Sequence, residues 1–293
     1  SPHIPGCEPY RVVLRLGHVV SILEEERPDI IELGCAYTLP WAAFRHRREN
    51  PCKVTGFYHT DFPHSYVEKT VNDIFGETIA KRARMIASQY VRFLYNRFDR
   101  VFTASCSLQK NLSKYGIKKV EYTPLGVDTD MFNPSRRSPK IREALGITDT
   151  DLMLVYAGRL DIDKRIHVLT GAIEIVSGII PARIVIAGDG PLREQLQNRY
   201  VHDSRIVILP YMSDKAELAT LLASGDIYVT AGPHETFGLS VLEAQACGLP
   251  VVGVRAGALT ERVRPSFGLL GKLDNVEQFA KNIVTLSKTG FRE

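Results

Sequence analysis

LMLVYAGRLDIDKRIHVLTGAIEIVSGIIPARIVIAGDGPLREQL, residues 152–196, is the stretch that decides the fold. It opens on an unbroken apolar run, LMLVYAG (152–158), that ends in glycine. A run of this kind reads as a strand buried on both faces. KRIHVLTGAIEIVSGI (164–179) follows, with Ile166, Leu169, Ile173 and Val176 at helical spacing. ARIVIAG (182–188) is a second strand, and PLREQLQNRY (191–200) opens with proline at a helix start. Strand and helix alternate with short turns, which is the pattern of a parallel α/β sheet.

The same alternation continues outward. RIVILPY (205–211), DIYVTAG (226–232) and LPVVGVRAG (249–257) read as strands. SDKAELATLLAS (213–224), TFGLSVLEAQAC (236–247) and VEQFAKNIVTLSK (276–288) read as helices. Five or so βα units in series imply a doubly wound sheet. Toward the N-terminus, residues 12–29 read as a helix, 29–34 as a strand, 39–48 as a helix and 52–59 as a strand. A long helix over 77–98 and short strands at 100–105 and 119–126 complete that half. The stretch 127–140, rich in proline, serine and charge, reads as an interdomain linker. The expectation is an α/β protein of two doubly wound parallel-sheet domains facing a cleft, 1–133 and 134–293. No internal repeat or low-complexity tract interrupts it.

Composition bounds the function classes. The 293 residues are 44% hydrophobic and 24% charged, the ordinary range for a globular protein. No apolar run approaches the ~20 residues that span a bilayer, and the opening SPHIPGCEPYR does not have the shape of a secretory leader. Five scattered cysteines without a C-x-x-C pair read as reduced thiols in a cytoplasmic protein. The net charge of +4 is unevenly placed: ten lysines and arginines lie between Lys81 and Lys119, with Asp99 the only acid. Apolar residues interleave with them. Two readings stand: a solvated basic face over a buried one, or a peripheral contact with an anionic membrane or acceptor through residues 81–119. No nucleic-acid motif accompanies the charge.

Ligands of open α/β sheets sit at the carboxyl ends of the strands, so the chemistry belongs in the turns. After 152–158 the turn carries Arg159 and Lys164, two cations at a helix mouth that suit a diphosphate. After 182–188 comes Gly188-Asp189-Gly190-Pro191, where glycines let a ligand approach the backbone. After 226–232 comes GPHETFGLSVLEAQACGLP (232–250), with Gly238 just inside a helix start and Glu243 about two turns deeper than Glu235. Each element alone is ambiguous: a tight turn, or a surface charge. Together they occupy successive strand-end turns of one sheet.

These stretches resemble the donor-domain motifs of family-four retaining glycosyltransferases. The spacing Glu235-x7-Glu243 is that family's hallmark, and the resemblance extends through PLGVDTDMF (124–132), RFDRVFTASCSLQKNL (97–112), RPDIIELG (27–34) and GFYHTDFP (56–63). GFYHTDFP and the helix after it look most like the members that act on lipid-linked or glycolipid acceptors. The resemblance implies a GT-B fold of two Rossmann-like domains. It also implies transfer of a hexose, of mannose or glucose type, from a donor such as GDP-mannose or UDP-glucose to a lipid-linked or saccharide acceptor. Carried over by residue, Arg159 and Lys164 hold the diphosphate, Glu235 bonds hydroxyls of the transferred sugar, and Glu243 holds the ribose. The amides of Phe237, Gly238 and Leu239 contact sugar and phosphate. Gly188, Gly190, Tyr211 and Met212 border the base, and His59 faces the reacting sugar. No resident cofactor or metal is expected. Asp161-Ile162-Asp163 and Asp128-Thr129-Asp130 have an Asp-x-Asp pattern, but the first adjoins Lys164 and the second lies in the linker. His59 and His64 lack a third ligand at metal-site spacing, and no G-x-S-x-G element is present.

Fixed cations and helix-end amides aimed at the departing phosphate stabilise the charge that develops there. No carboxylate pair suits a double-displacement hydrolase, which needs two about 5 Å apart. The family opens with a further strand and a Gly-rich loop and closes with helices that return to the first domain. Neither is read here, so the chain is expected to be incomplete at both ends. A sugar phosphorylase, a nucleotide-sugar epimerase and a non-catalytic nucleotide-sugar-binding subunit remain alternatives on the same scaffold.

Overall fold

The computed structural model describes residues 13–289. Cys7 and the expected end at Phe291–Glu293 lie outside them. The chain divides into two compact units between Pro124 and Leu125.

The first unit carries a parallel sheet in the order β1-β2-β3-β4, formed by Ile30–Leu33, Lys53–Phe57, Arg100–Thr103 and Val120–Tyr122. Its helices are α1 (Leu16–Glu26), α2 (Leu39–Glu49), α3 (Lys69–Phe75), α4 (Glu77–Tyr95) and α5 (Cys106–Lys114), with a π-helical turn at Pro63–Glu68. α1 ends at Arg27, held in the left-handed region at φ 45°, one residue before Pro28, which cannot continue a helix. The expected helix over 77–98 is observed as α4 and is preceded by α3. Gly76, at φ 82° and ψ 170°, breaks the path between them. The core joins Val54, Tyr58, Val91, Leu94, Phe98, Val101 and Leu112 across strands and helices.

The second unit carries six parallel strands in the order β10-β9-β8-β5-β6-β7. They are β5 (Leu152–Ala157), β6 (Ala182–Ala187), β7 (Ile206–Leu209), β8 (Ile227–Val229), β9 (Val251–Val254) and β10 (Gly268–Gly271). α6 (Pro139–Ala144), α7 (Ile166–Ser177), α8 (Arg193–Tyr200), α9 (Lys215–Ser224), α10 (Leu239–Ala246), α11 (Leu259–Arg262) and α12 (Val276–Ser287) surround them. β5, β6 and β9 are almost wholly buried, because covered parallel strands bury both faces.

Three expectations shift. The linker is shorter than expected, because Phe132 is only 2% exposed and joins the second core. α6 also starts inside the expected linker, at Pro139, and its Arg142 is buried and donates to the Ser224, Thr148 and Asp151 carbonyls and to Asp226 at 3.0 Å. β10 lies beyond the expected strands. Its Gly268 packs so closely that a Cβ there would come within 2.0 Å of the Val251 carbonyl oxygen. α10 begins at Leu239, three residues later than expected, because Gly238 takes the cap in a left-handed conformation (φ 81°). Cys35, Cys52, Cys106 and Cys247 are free thiols.

Candidate active site

The strand order places a topological switch between β5 and β8. The chain steps β5 to β6 to β7 in one direction, then resumes at β8 and steps to β9 and β10 in the other. Crevices form at such points, outside the carboxyl ends of the strands. Lys164 follows β5 and Glu235 follows β8, so the two flank the switch. They meet there: Lys164 Nζ donates to Glu235 Oε1 at 2.5 Å, with side chains 20% and 18% exposed. The lysine stem passes over Gly232, where a Cβ would lie 3.2 Å from its Cδ. Glycine at 232 thus clears the path that lets the pair form.

Arg159 is in the same turn but takes other partners. Its guanidinium pairs with Asp161 at 3.0 Å and Asp163 at 3.5 Å, and its side chain is half exposed. Those aspartates are therefore engaged by an arginine, and Asp161 also caps the short turn at Ile162–Lys164. Asp128 accepts from the Asp130 and Met131 amides, which makes the second Asp-x-Asp a local turn. Among the described residues no three His, Cys, Asp or Glu side chains gather as a metal site.

The Gly188–Gly190 turn has a structural use that the sequence reading did not anticipate. A Cβ on Gly188 would lie 1.9 Å from the Gly158 carbonyl oxygen, and one on Gly190 would lie 2.4 Å from that of Leu160. The close backbone approach is between the turns themselves. Leu160 N donates to Asp189 O, Leu192 N to Leu160 O, Gly158 N to Ala187 O and Gly188 N to Leu209 O. The turns after β5 and β6 form one stitched platform, tied to the end of β7. Tyr156 and Tyr228 brace it from below, donating to the Arg159 and Ala157 carbonyls. Beyond it Tyr211 is exposed, while Met212 packs half-buried against the core.

Glu235 lies in an irregular segment ahead of α10, not in the helix, and Glu243 is the fifth residue of α10. Glu243 is half-buried. Burial pushes its carboxyl pKa up, and the Lys215 charge opposes the shift. The first amides of α10 follow Gly238, whose carbonyl accepts from Val241 and Leu242. Helix starts of this kind leave N–H groups for an anion. Phe237, by contrast, is buried. The segment from Pro233 to Gly238 is held from the turn after β9. Ala258 N donates to Glu235 O at 2.8 Å, and Arg262 Nε donates to Phe237 O at 3.0 Å. Arg262 was missed by sequence reasoning, because an arginine ending a four-residue helix carries no pattern.

In the first unit His59 follows β2 and is exposed. It stacks on Phe57 at 4.4 Å between ring centroids, and Gly34, after β1, lies against its Nε2. Asp61, two residues on, accepts from Tyr58 at 3.4 Å and Tyr115 at 3.3 Å. Burial raises the Asp61 pKa against the lowering effects of His64 and both tyrosines, and burial beside Asp61 pushes Tyr115 up to about 12.

Comparison with known proteins bears on the family and the fold. The family described as glycosyl transferases group 1 matches residues 151–289, and that described as glycosyltransferase family 4 matches residues 1–131. Over 273 residues the chain is 33% identical to the GDP-mannose-dependent alpha-(1-6)-phosphatidylinositol dimannoside mannosyltransferase of Mycobacterium tuberculosis, covering 92% of this chain and 68% of that protein. It is 28% identical to a GDP-mannose-dependent alpha-mannosyltransferase of Corynebacterium glutamicum, covering 96% of this chain and 63% of the relative. The crystal structure of Anabaena Alr3699/HepE in complex with UDP-glucose is similar in fold, with TM-score 0.73 at 20% identity over 93% of this chain and 72% of that one.

Proposed function

The chain belongs to the group 1 glycosyl transferases of GT-B fold, and from that premise we propose that it moves a hexose from a nucleoside-diphosphate sugar to a lipid-linked or saccharide acceptor. The observation that carries this reading is the Lys164–Glu235 pair at the switch point of the sheet. Lys164, with Arg159 beside it, is assigned to the donor diphosphate. Departure of that group builds negative charge on phosphate, and a fixed cation stabilises it most where charge grows. The amides opening α10 serve the same end. Glu235 is assigned to hydroxyls of the transferred sugar and Glu243 to the ribose. Gly188, Gly190, Tyr211 and Met212 border the base, with the glycines acting through the platform they shape. His59 is assigned to the reacting-sugar side. Retention of configuration follows if the acceptor attacks the face that the diphosphate leaves, where a phosphate oxygen takes its proton.

The names of the relatives favour GDP-mannose as donor and a lipid-linked acceptor. α4 supports peripheral contact with an anionic membrane. Ala80, Ala87, Val91 and Leu94 are buried on one side, while Ile79, Ile86 and Phe93 are exposed at seven-residue spacing on another, with Arg82 beside them. Among the described residues no helix is long and apolar enough to cross a membrane.

A thermal-shift screen of nucleotide sugars tests the reading. A donor at 100 times its Kd adds about 2.7 kcal/mol, which for a domain of this size is roughly 5–10 °C. GDP-mannose or a UDP-hexose is expected to shift the melt and free sugars are not. Stabilisation by free sugar and phosphate alone sinks the assignment in favour of a phosphorylase.

A further inference from the structure

The segment Pro233–Gly238 carries Glu235 and leads into α10, yet it has no regular structure of its own. Something outside must fix it, because free loop residues sample many conformers and a site misplaced by about 1 Å loses rate on the order of a hundredfold. Three residues from the turn and short helix after β9 do so. Gly257, at φ 53°, sits so close that a Cβ would come within 2.6 Å of the Glu235 carbonyl oxygen and 2.8 Å of that of Pro233. Ala258 N donates to the Glu235 carbonyl at 2.8 Å. Arg262 then grips Phe237 twice: Nε donates to its carbonyl at 3.0 Å, and the guanidinium carbon lies 4.2 Å from its ring centroid. A cation over a shielded aromatic face holds the ring as well as the backbone.

Arg262 is itself held. Its amide donates to Ala258 O at 3.1 Å, and Gln245 Nε2, from α10, donates to its carbonyl at 3.0 Å. The arginine therefore bridges the loop and the first helix that the loop feeds. We propose that Arg262 is a positioning residue for transfer, clamping Phe237 so that Glu235 and the Phe237–Leu239 amides are aimed at the donor before it arrives. Its role in turnover rests on the transferase reading above; its hold on the loop does not. The guanidinium is suited to this task where lysine is not, because its planar fork donates to a carbonyl while its face covers a ring.

The test compares the parent with Arg262→Met, which keeps an unbranched apolar stem and loses donor and charge, and with Arg262→Lys. Three quantities are read: amide hydrogen exchange over residues 233–242, the melting temperature, and kcat and KM for the nucleotide sugar that the parent uses. In the methionine variant exchange within 233–242 is expected to rise about tenfold or more while β5 and β6 stay protected. kcat is expected to fall about ten- to a hundredfold, with donor KM changed less than about threefold. Lysine is expected to recover part of both, since the cation over the ring survives. Unchanged exchange in 233–242 overturns the clamp. So does a loss of kcat that tracks a general rise in exchange across the unit, because that pattern belongs to a stabilising residue only. A parent that uses no nucleotide sugar removes the transferase reading instead and leaves exchange to decide the clamp.

Discussion

Lys164 and Glu235 neutralise each other, so the two substitutions are expected to act on donor binding with opposite sign. Glu235→Gln removes a carboxylate beside the position assigned to the diphosphate and frees the lysine. Two unit charges about 4 Å apart interact by about 4 kcal/mol at an effective dielectric of 20. Side chains one-fifth exposed retain water, and the freed ammonium must still be desolvated on binding, which leaves a net gain of about 1 kcal/mol. The bare nucleoside diphosphate should therefore bind about fivefold tighter to Glu235→Gln. Lys164→Ala removes a charged donor worth about 1.5–3 kcal/mol, so the same ligand should bind about 10- to 100-fold more weakly. Both variants leave a partly buried partner unpaired, which costs about 1–2 kcal/mol and lowers the melt by roughly 3–6 °C. Titration calorimetry with the nucleoside diphosphate and its sugar ester separates the effects, since Glu235→Gln alone should lose the preference for the ester. Equal weakening of the bare diphosphate in both variants refutes the reasoning, because the pair is then a structural strut.

Gly188→Ala forces a Cβ to within 1.9 Å of the Gly158 carbonyl oxygen. The cost is expected to be at least about 3 kcal/mol, read as a lower urea midpoint with the m-value unchanged. Glu243 is held above the ordinary carboxylate range by burial. Its charged form is disfavoured in the fold, so stability falls as pH rises from the unfolded value through the raised one, and Glu243→Gln should flatten that limb in pH-dependent melts. If the ionised carboxylate holds the ribose, donor affinity should fall as pH drops through the raised value and lose that dependence in the same variant. Ile79→Glu with Ile86→Glu should reduce flotation with anionic vesicles by about tenfold or more without lowering the melt, since both side chains are exposed; undiminished flotation removes α4 from the membrane contact.

The parts of the fold that were legible in the sequence are those with an unmistakable period. Leu152–Ala157 is apolar throughout, and Ala182–Ala187 is apolar except at Arg183, because both faces are covered. Gly268–Gly271 was illegible, being four residues with two glycines at a sheet edge. The linker was overextended because composition registers proline and charge at 134–140, whereas the burial of Phe132 and Arg142 depends on partners far along the chain. Lys164 and Glu235 were each legible as candidates in their strand-end turns. Their mutual contact was not, since it depends on the strand order that sets β5 beside β8. The Gly188–Gly190 turn was read as room for a ligand, and its glycines make room for Gly158 and Leu160.

The stitched turns after β5 and β6 have a consequence for anyone altering donor choice. Their main-chain bonds and missing Cβ atoms leave little tolerance for new side chains at 188 or 190, so randomising those two is expected to give mostly destabilised variants. Tyr211, by contrast, is largely exposed. On the proposed assignment of Tyr211 and Met212 to the base, a library meant to exchange one nucleotide for another is best concentrated at 211–212, with 188–192 kept as an invariant chassis.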